Sequence, residues 1–173
     1  MLSFPASDSP PSTSVEEVYR RYFPLIRRKC ERMLNDPQEA ADIAQETFLR
    51  FWREQNDFQD IRQNVAWIYR TSVRLAIDRL RARKRHAEPS DPESLDRNPG
   101  EWASGESRLH AQRLFSRLAR ELPRRELEIA MLSRLDGLTQ AEIGEVMQMS
   151  ERNVRRLLSR FDEHLVQLRE EGA

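Results

Sequence analysis

Glycine is scarce in this chain of 173 residues, with only 5, aromatic residues make up 8% of it, and there is a single cysteine. Each shortage excludes something. No glycine-rich loop of the kind that cradles nucleotide phosphates is present, and the alternating Val, Ile and Thr runs that mark strands are hard to find. The lone Cys30 cannot close an intramolecular disulfide. At helical spacing with Ile26, Met33 and Leu34 it reads as a core residue in a reducing compartment, with redox sensing the lesser alternative. His86, His110 and His164 are dispersed and no metal-ligand spacing occurs. No catalytic residue, metal, cofactor or small-molecule substrate is therefore expected, and an enzyme is disfavoured. No apolar run approaches the roughly 18 residues that span a bilayer, and the first residues lack the basic-then-apolar order of a secretion signal. A cytoplasmic location is expected. What remains is Leu, Arg, Glu and Ala in abundance, the composition of an all-α protein.

Net charge is also lacking, with 29 Lys and Arg against 29 Asp and Glu. The balance hides a segregation. Residues 15–87 hold 16 basic against 11 acidic groups, residues 88–107 hold 1 against 6, and residues 108–173 hold 12 against 11. The acidic stretch contains three prolines and hardly any apolar side chain, which makes it a linker between two small helical domains. Residues 1–14, rich in Ser and Pro, are expected to be a disordered tail.

In the first domain, Ser14 and Glu17 fit a capping box, and Pro24 is expected to break or kink the helix that follows. Asp36, Pro37 and Glu39 stand at N-cap, N1 and N3 of a second helix reaching about Glu54. Its apolar side carries Ala40, Ile43, Ala44, Thr47, Phe48 and Phe51. A long helix over about 64–85 puts Val65, Ile68, Tyr69, Ser72, Leu75, Ala76 and Leu80 on one face and Arg70, Arg74, Arg81 and Arg85 on the other. Between Arg74 and Arg85, six basic residues meet only Asp78, a clustering that favours phosphate contact over a plain solvated face.

In the second domain a helix over about 107–121 precedes one opened by Pro123 at N1 and closed near Asp136-Gly137. Thr139 and Glu142 then form a capping box for a short helix, and Ser150 caps a last one. Two helices joined by a tight turn make the pattern of a helix-turn-helix, although a plain helical hairpin buries Val154, Leu157 and Leu158 equally well. The second helix carries Arg152, Asn153, Arg155, Arg156, Ser159 and Arg160; Arg152, Asn153 and Arg156 suit base edges, and Ser159 and Arg160 are better placed for phosphates.

In this order and at this separation, Asp36 to Arg53 and Leu138 to Leu158 resemble the two conserved regions of bacterial extracytoplasmic-function sigma factors, the detachable promoter-recognition subunits of RNA polymerase. The likeness spans about residues 15–85 and 108–168. It implies a region 2-like bundle (15–87) and a region 4-like helix-turn-helix domain (108–173). By its residues alone the block around Asp42 is an ordinary amphipathic helix. The resemblance gives Asp42, Gln45, Glu46, Phe48, Leu49, Arg50 and Trp52 to the clamp helices of the largest polymerase subunit. It gives Arg70, Arg74, Asp78, Arg81 and Arg85 to the melted minus-ten element. Thr139, Ser150, Arg152, Asn153, Arg155, Arg156, Ser159 and Arg160 go to the minus-thirty-five element, with the polymerase flap touched by the same domain. Trp67 is read as core. It further implies an anti-sigma partner, membrane-anchored by family habit. The acidic linker would lie toward the RNA exit path or act as a solubilising spacer. The chain departs from the family at Val73-Arg74, where Arg-Asn is common, at Gln148-Met149, where Gly precedes an aliphatic residue, and at Gly144, where Ala is usual. A stand-alone helix-turn-helix regulator or a sigma-like adaptor are the competing readings.

Overall fold

The computed structural model describes residues 15–54, 61–86 and 105–170. They form seven helices: α1 Val15–Leu34, α2 Pro37–Glu54, α3 Ile61–His86, α4 Gly105–Glu121, α5 Arg124–Arg134, α6 Gln140–Met147 and α7 Glu151–Glu170. The expected tail with its Ser14 cap and positions 88–104 of the expected linker lie outside the described residues. Positions 105–107, counted with the linker, already belong to α4.

Local chemistry explains most of the boundaries. Asn35 takes a left-handed conformation (φ 51°) that closes α1, and the next residue opens α2. The Asp36 carboxylate accepts hydrogen bonds from the amides of Gln38 and Glu39, both at 2.9 Å, so two of the free donors at the helix start are satisfied. Gly137, at φ 71°, makes the turn that ends the α5 region. Thr139 and Glu142 close their capping box in both directions.

Pro24 lies inside α1, so the expected break does not occur. A proline there costs about 3 kcal/mol, but Tyr22, Ile26 and Cys30 around it are fully buried against α2 and α3. Large buried side chains contribute about 1.5–3 kcal/mol each, so packing outweighs the missing bond. Pro123 is the N-cap of α5, not its first residue. Its ψ of 136° is extended, while its carbonyl accepts from Glu126 and Leu127 as an N-cap carbonyl does.

α3 is the axis of the molecule, touching α1 and α2 on one side and α4, α5 and α6 on the other. Val65, Ile68, Tyr69, Ser72, Ala76 and Leu80 are buried as expected, Leu75 is only half-buried, and the buried arc widens to Val73 and Ile77 because α3 is packed from several directions. A single hydrophobic core runs from Val18 through α3 to Leu168. The two halves of the chain are therefore packed on one another.

Candidate nucleic-acid and partner surfaces

On α2 the six inward positions, Ala40, Ile43, Ala44, Thr47, Phe48 and Phe51, are all buried. The Thr47 hydroxyl donates to the Ile43 carbonyl at 2.8 Å, so its burial leaves no idle donor. The opposite side presents Asp42, Gln45, Leu49, Arg50, Trp52 and Arg53, with Glu46 half-buried. Leu49 is 49% and Trp52 65% exposed, two large apolar groups set among charges. Arg50 donates to Glu46 at 2.6 Å, and Gln38 to Asp42 at 3.2 Å, which tie that charged surface in place.

Phe48 needs correcting. Assigned to this surface, it is packed inward with its ring 5.1 Å from Tyr19, 5.8 Å from Phe23 and 6.4 Å from Phe51. It shares the stripe of Ala44 and Phe51, and the 100° step to Leu49 carries the next side chain out. Tyr19, 45% exposed and touching Phe48, extends the apolar patch onto α1. The i, i+4 pairing of Tyr19 with Phe23 was the signal for it.

The arginine row of α3 is engaged by the second half of the chain. Arg81 donates to the carbonyls of Ala119 at 2.8 Å and Leu122 at 3.2 Å, the unpaired end of α4. Arg70 reaches the Val146 carbonyl at 3.5 Å, and Arg74 lies 3.5 Å from Glu128. Asp78 pairs with Arg124 at 2.5 Å. Of the neighbouring basic residues, Arg79 pairs with Glu39, and Arg83 meets Glu39 and donates to the Leu34 carbonyl. The Arg85 side chain lies outside the described residues. Between the halves opens a cleft of about 630 Å³, lined by Arg50, Trp67, Arg70, Arg74, Arg124 and Glu128 among others. Trp67, 9% exposed, donates to Glu54 at 3.1 Å, in keeping with a core role.

The helix-turn-helix pattern is realised by α6 and α7, which pack on each other and, in both cases, on α5. Val154 is buried and Leu157 and Leu158 are half-buried, while Arg152, Asn153, Arg155, Arg156, Ser159 and Arg160 are exposed. Several of them already have structural duties. Ser150 accepts from the Asn153 amide at 3.4 Å, Thr139 holds its capping box, and Arg155 bridges to Gln140 of α6 at 3.2 Å. Arg160 stands 3.8 Å from the buried Glu126, which His164 also approaches at 3.1 Å. Arg152 and Arg156 are exposed and have no ion pair among the described residues.

The unusual turn residues prove to be coupled. Gln148 is left-handed (φ 52°), and the Met149 amide bonds the Gly144 carbonyl at 2.9 Å. This draws the chain back over α6 so tightly that a Cβ at position 144 would lie 2.8 Å from the Met149 carbonyl oxygen. Gly144 is what lets a turn without glycine close.

One residue escaped the sequence reading altogether. Lys29 ends the run Arg27-Arg28-Lys29, but its Nζ is buried and 3.0 Å from Asp136, with side-chain exposures of 1% and 0%. The ammonium also lies 4.9 Å from the centre of the Tyr69 ring. Burial raises the Asp136 carboxyl above its ordinary range, opposed by Lys29 and then Arg32. Beside this pair Cys30 is fully enclosed, and burial pushes its thiol up to about 12. Its complete burial fits the packing reading of Cys30.

Two family models match the chain, Sigma-70 region 2 over residues 18–86 and Sigma-70, region 4 over residues 112–161. Among curated proteins it resembles the ECF RNA polymerase sigma factor SigW of Bacillus subtilis, 31% identical with 83% of this chain and 82% of that protein covered. It also resembles the ECF RNA polymerase sigma factor SigE of Mycolicibacterium smegmatis, 28% identical over 88% of this chain, though the match spans only 60% of that protein. Among solved structures, CnrH in complex with the cytosolic domain of CnrY has the same fold, with a TM-score of 0.62 at 19% identity and coverage of 92% of this chain and 89% of that one. No helix among the described residues is long and apolar enough to cross a membrane.

Proposed function

Because this chain belongs to the extracytoplasmic-function group of the sigma-70 family, we propose that it is a promoter-specificity subunit that joins core RNA polymerase and directs transcription initiation. It acts by binding and positioning, and the chemistry stays with the polymerase. The outer face of α2, with Asp42, Gln45, Glu46, Leu49, Arg50 and Trp52, docks the clamp helices of the largest subunit, while Phe48 supports it from beneath. The face of α3 carrying Arg70, Arg74, Asp78, Arg81 and Arg85 holds the melted minus-ten strand, where phosphates meet guanidinium groups. α7 enters the major groove at the minus-thirty-five element, with Arg152, Asn153 and Arg156 at base edges and Ser159 and Arg160 at the backbone. The second domain also touches the flap.

The observation that carries this reading is the pairing of Leu49 and Trp52, exposed apolar anchors within a charged face, in a chain that also presents a recognition helix. Pull-down with core RNA polymerase followed by transcription from a promoter library tests it. The double variant Leu49→Ala/Trp52→Ala should lose at least about 2 kcal/mol of polymerase affinity. A chain that binds duplex DNA unaided but ignores polymerase would be a stand-alone regulator. One that binds polymerase without initiating transcription would be an adaptor.

The structural neighbour was solved with a cytosolic domain bound. That supports extending the proposal to an anti-sigma partner whose cytosolic part holds this chain from a membrane anchor, with the chain itself in the cytoplasm.

A further inference from the structure

The face of α3 assigned above to DNA is not open. Arg70 and Arg81 donate to backbone carbonyls of Val146, Ala119 and Leu122, and Arg74 and Asp78 face Glu128 and Arg124. Phosphates and this protein layer compete for the same guanidinium groups. Beside the shared apolar core, the contact carries polar links, with Arg62 to Glu145 at 2.7 Å and Asn35 to Gln112 at 3.3 Å adding half-exposed ones that hold weakly. One link differs. Lys29 of α1 and Asp136, in the loop entering the helix-turn-helix, form a fully buried pair that crosses from one half to the other.

From this geometry we propose that the free chain is self-closed: the second domain lies across the nucleic-acid face of α3, and the Lys29–Asp136 pair is the catch that must separate before that face can be used. The proposal rests on the reading of α3 as a DNA face. A catch of this chemistry suits reversible closure. Two buried charges gain little net stability, because their attraction is set against lost hydration, yet either one without the other is strongly disfavoured. Asp136 has one carboxylate oxygen, and Tyr22 a hydroxyl, with no hydrogen-bond partner among the described residues. Opening lets water reach all of these groups.

The test uses the full chain without polymerase. Spin labels at Arg53→Cys on α2 and Glu163→Cys on α7, both exposed sites, report the separation of the halves, while buried Cys30 stays unlabelled. Anisotropy of a fluorescein-labelled oligothymidylate reports access to the α3 face. Lys29→Met and Asp136→Leu, made singly, should each lengthen the label distance and tighten oligothymidylate binding by roughly tenfold or more, as expected when a scarce open form becomes dominant. The double variant Lys29→Met/Asp136→Leu removes both charges and should restore the wild-type distance and affinity. Label distances unchanged in the single variants would overturn the catch. If the single variants unfold, as a far-ultraviolet melt reports, the double variant decides: a folded, closed double variant supports the pair's role and an unfolded one refutes it. Opening without tighter oligothymidylate binding would overturn α3 as the covered DNA face, and with it part of the proposed function, while closure itself would stand. Loss of transcription with opening intact would strike only the proposed function.

Discussion

α3 and α7 both display arginines along one face, yet the fold treats them in opposite ways. On α3, Arg70 and Arg81 are half-buried and bonded to the backbone of the second domain; on α7, Arg152 and Arg156 stand in solvent. The difference does not lie in the helices themselves. It lies in what packs over them: α7 meets its own domain through α5 and α6 on its apolar side, whereas α3 is flanked by both halves of the chain. Whether an arginine row faces solvent thus depends on a contact far away in sequence.

The sharpest way to break this contrast is at the buried pair. Lys29→Met leaves the Asp136 carboxylate without its counter-charge and should cost about 3–5 kcal/mol of stability, read as a fall in melting temperature that Lys29→Met/Asp136→Leu recovers. Next come the exposed arginines. Arg152→Ala and Arg156→Ala should each lose about 1–3 kcal/mol of minus-thirty-five affinity. In the polymerase complex, Arg74→Ala should affect melting of the minus-ten region while leaving minus-thirty-five recognition unchanged, measured by permanganate footprinting beside duplex binding.

The turn that orients α7 gives a third test, of intermediate size. Gly144→Ala forces a Cβ against the Met149 carbonyl and should cost about 1–3 kcal/mol, whereas Gln148→Gly relieves a left-handed glutamine and should gain about 1 kcal/mol; thermal melts of both variants check the signs.

The smallest effect concerns pH. The folded Asp136 carboxyl is raised, chiefly by burial, so the native state holds its proton at a pH where the unfolded chain has released it. Its contribution is therefore fully present below the ordinary aspartate range and is lost as pH rises toward the raised value. Lys29 and Arg32 oppose the shift, and the neighbouring Cys30 and Tyr69 stay neutral through that range, their own values being raised by burial. Subtracting the melting curve of Asp136→Asn from that of the wild type should leave a difference that declines as pH rises from about 4.

Much of this was legible in the residues. The six inward positions of α2, the Asp36 cap, the Thr139–Glu142 box and the faces of α7 all follow from period and capping, because those signals are local. Pro24 misled because a helix-breaking residue was weighed without the core that encloses it. Phe48 was assigned by likeness to a motif, and its place on the Ala44–Phe51 stripe pointed inward all along. Lys29 shows where local reading ends. Its spacing from Ile26, Cys30 and Met33 marked it as inward, but a lysine there makes sense only beside Asp136, a partner 107 residues away.

The bond between position 144 and the turn at 148–149 also constrains how such a chain can change. Alanine at 144 collides with the backbone while Gln148 holds the present tight path, so a lineage, or an engineer moving toward the commoner motif, has to alter the turn first and fill the helix afterwards. Two deviations that look independent in a row of letters are coupled through one backbone contact.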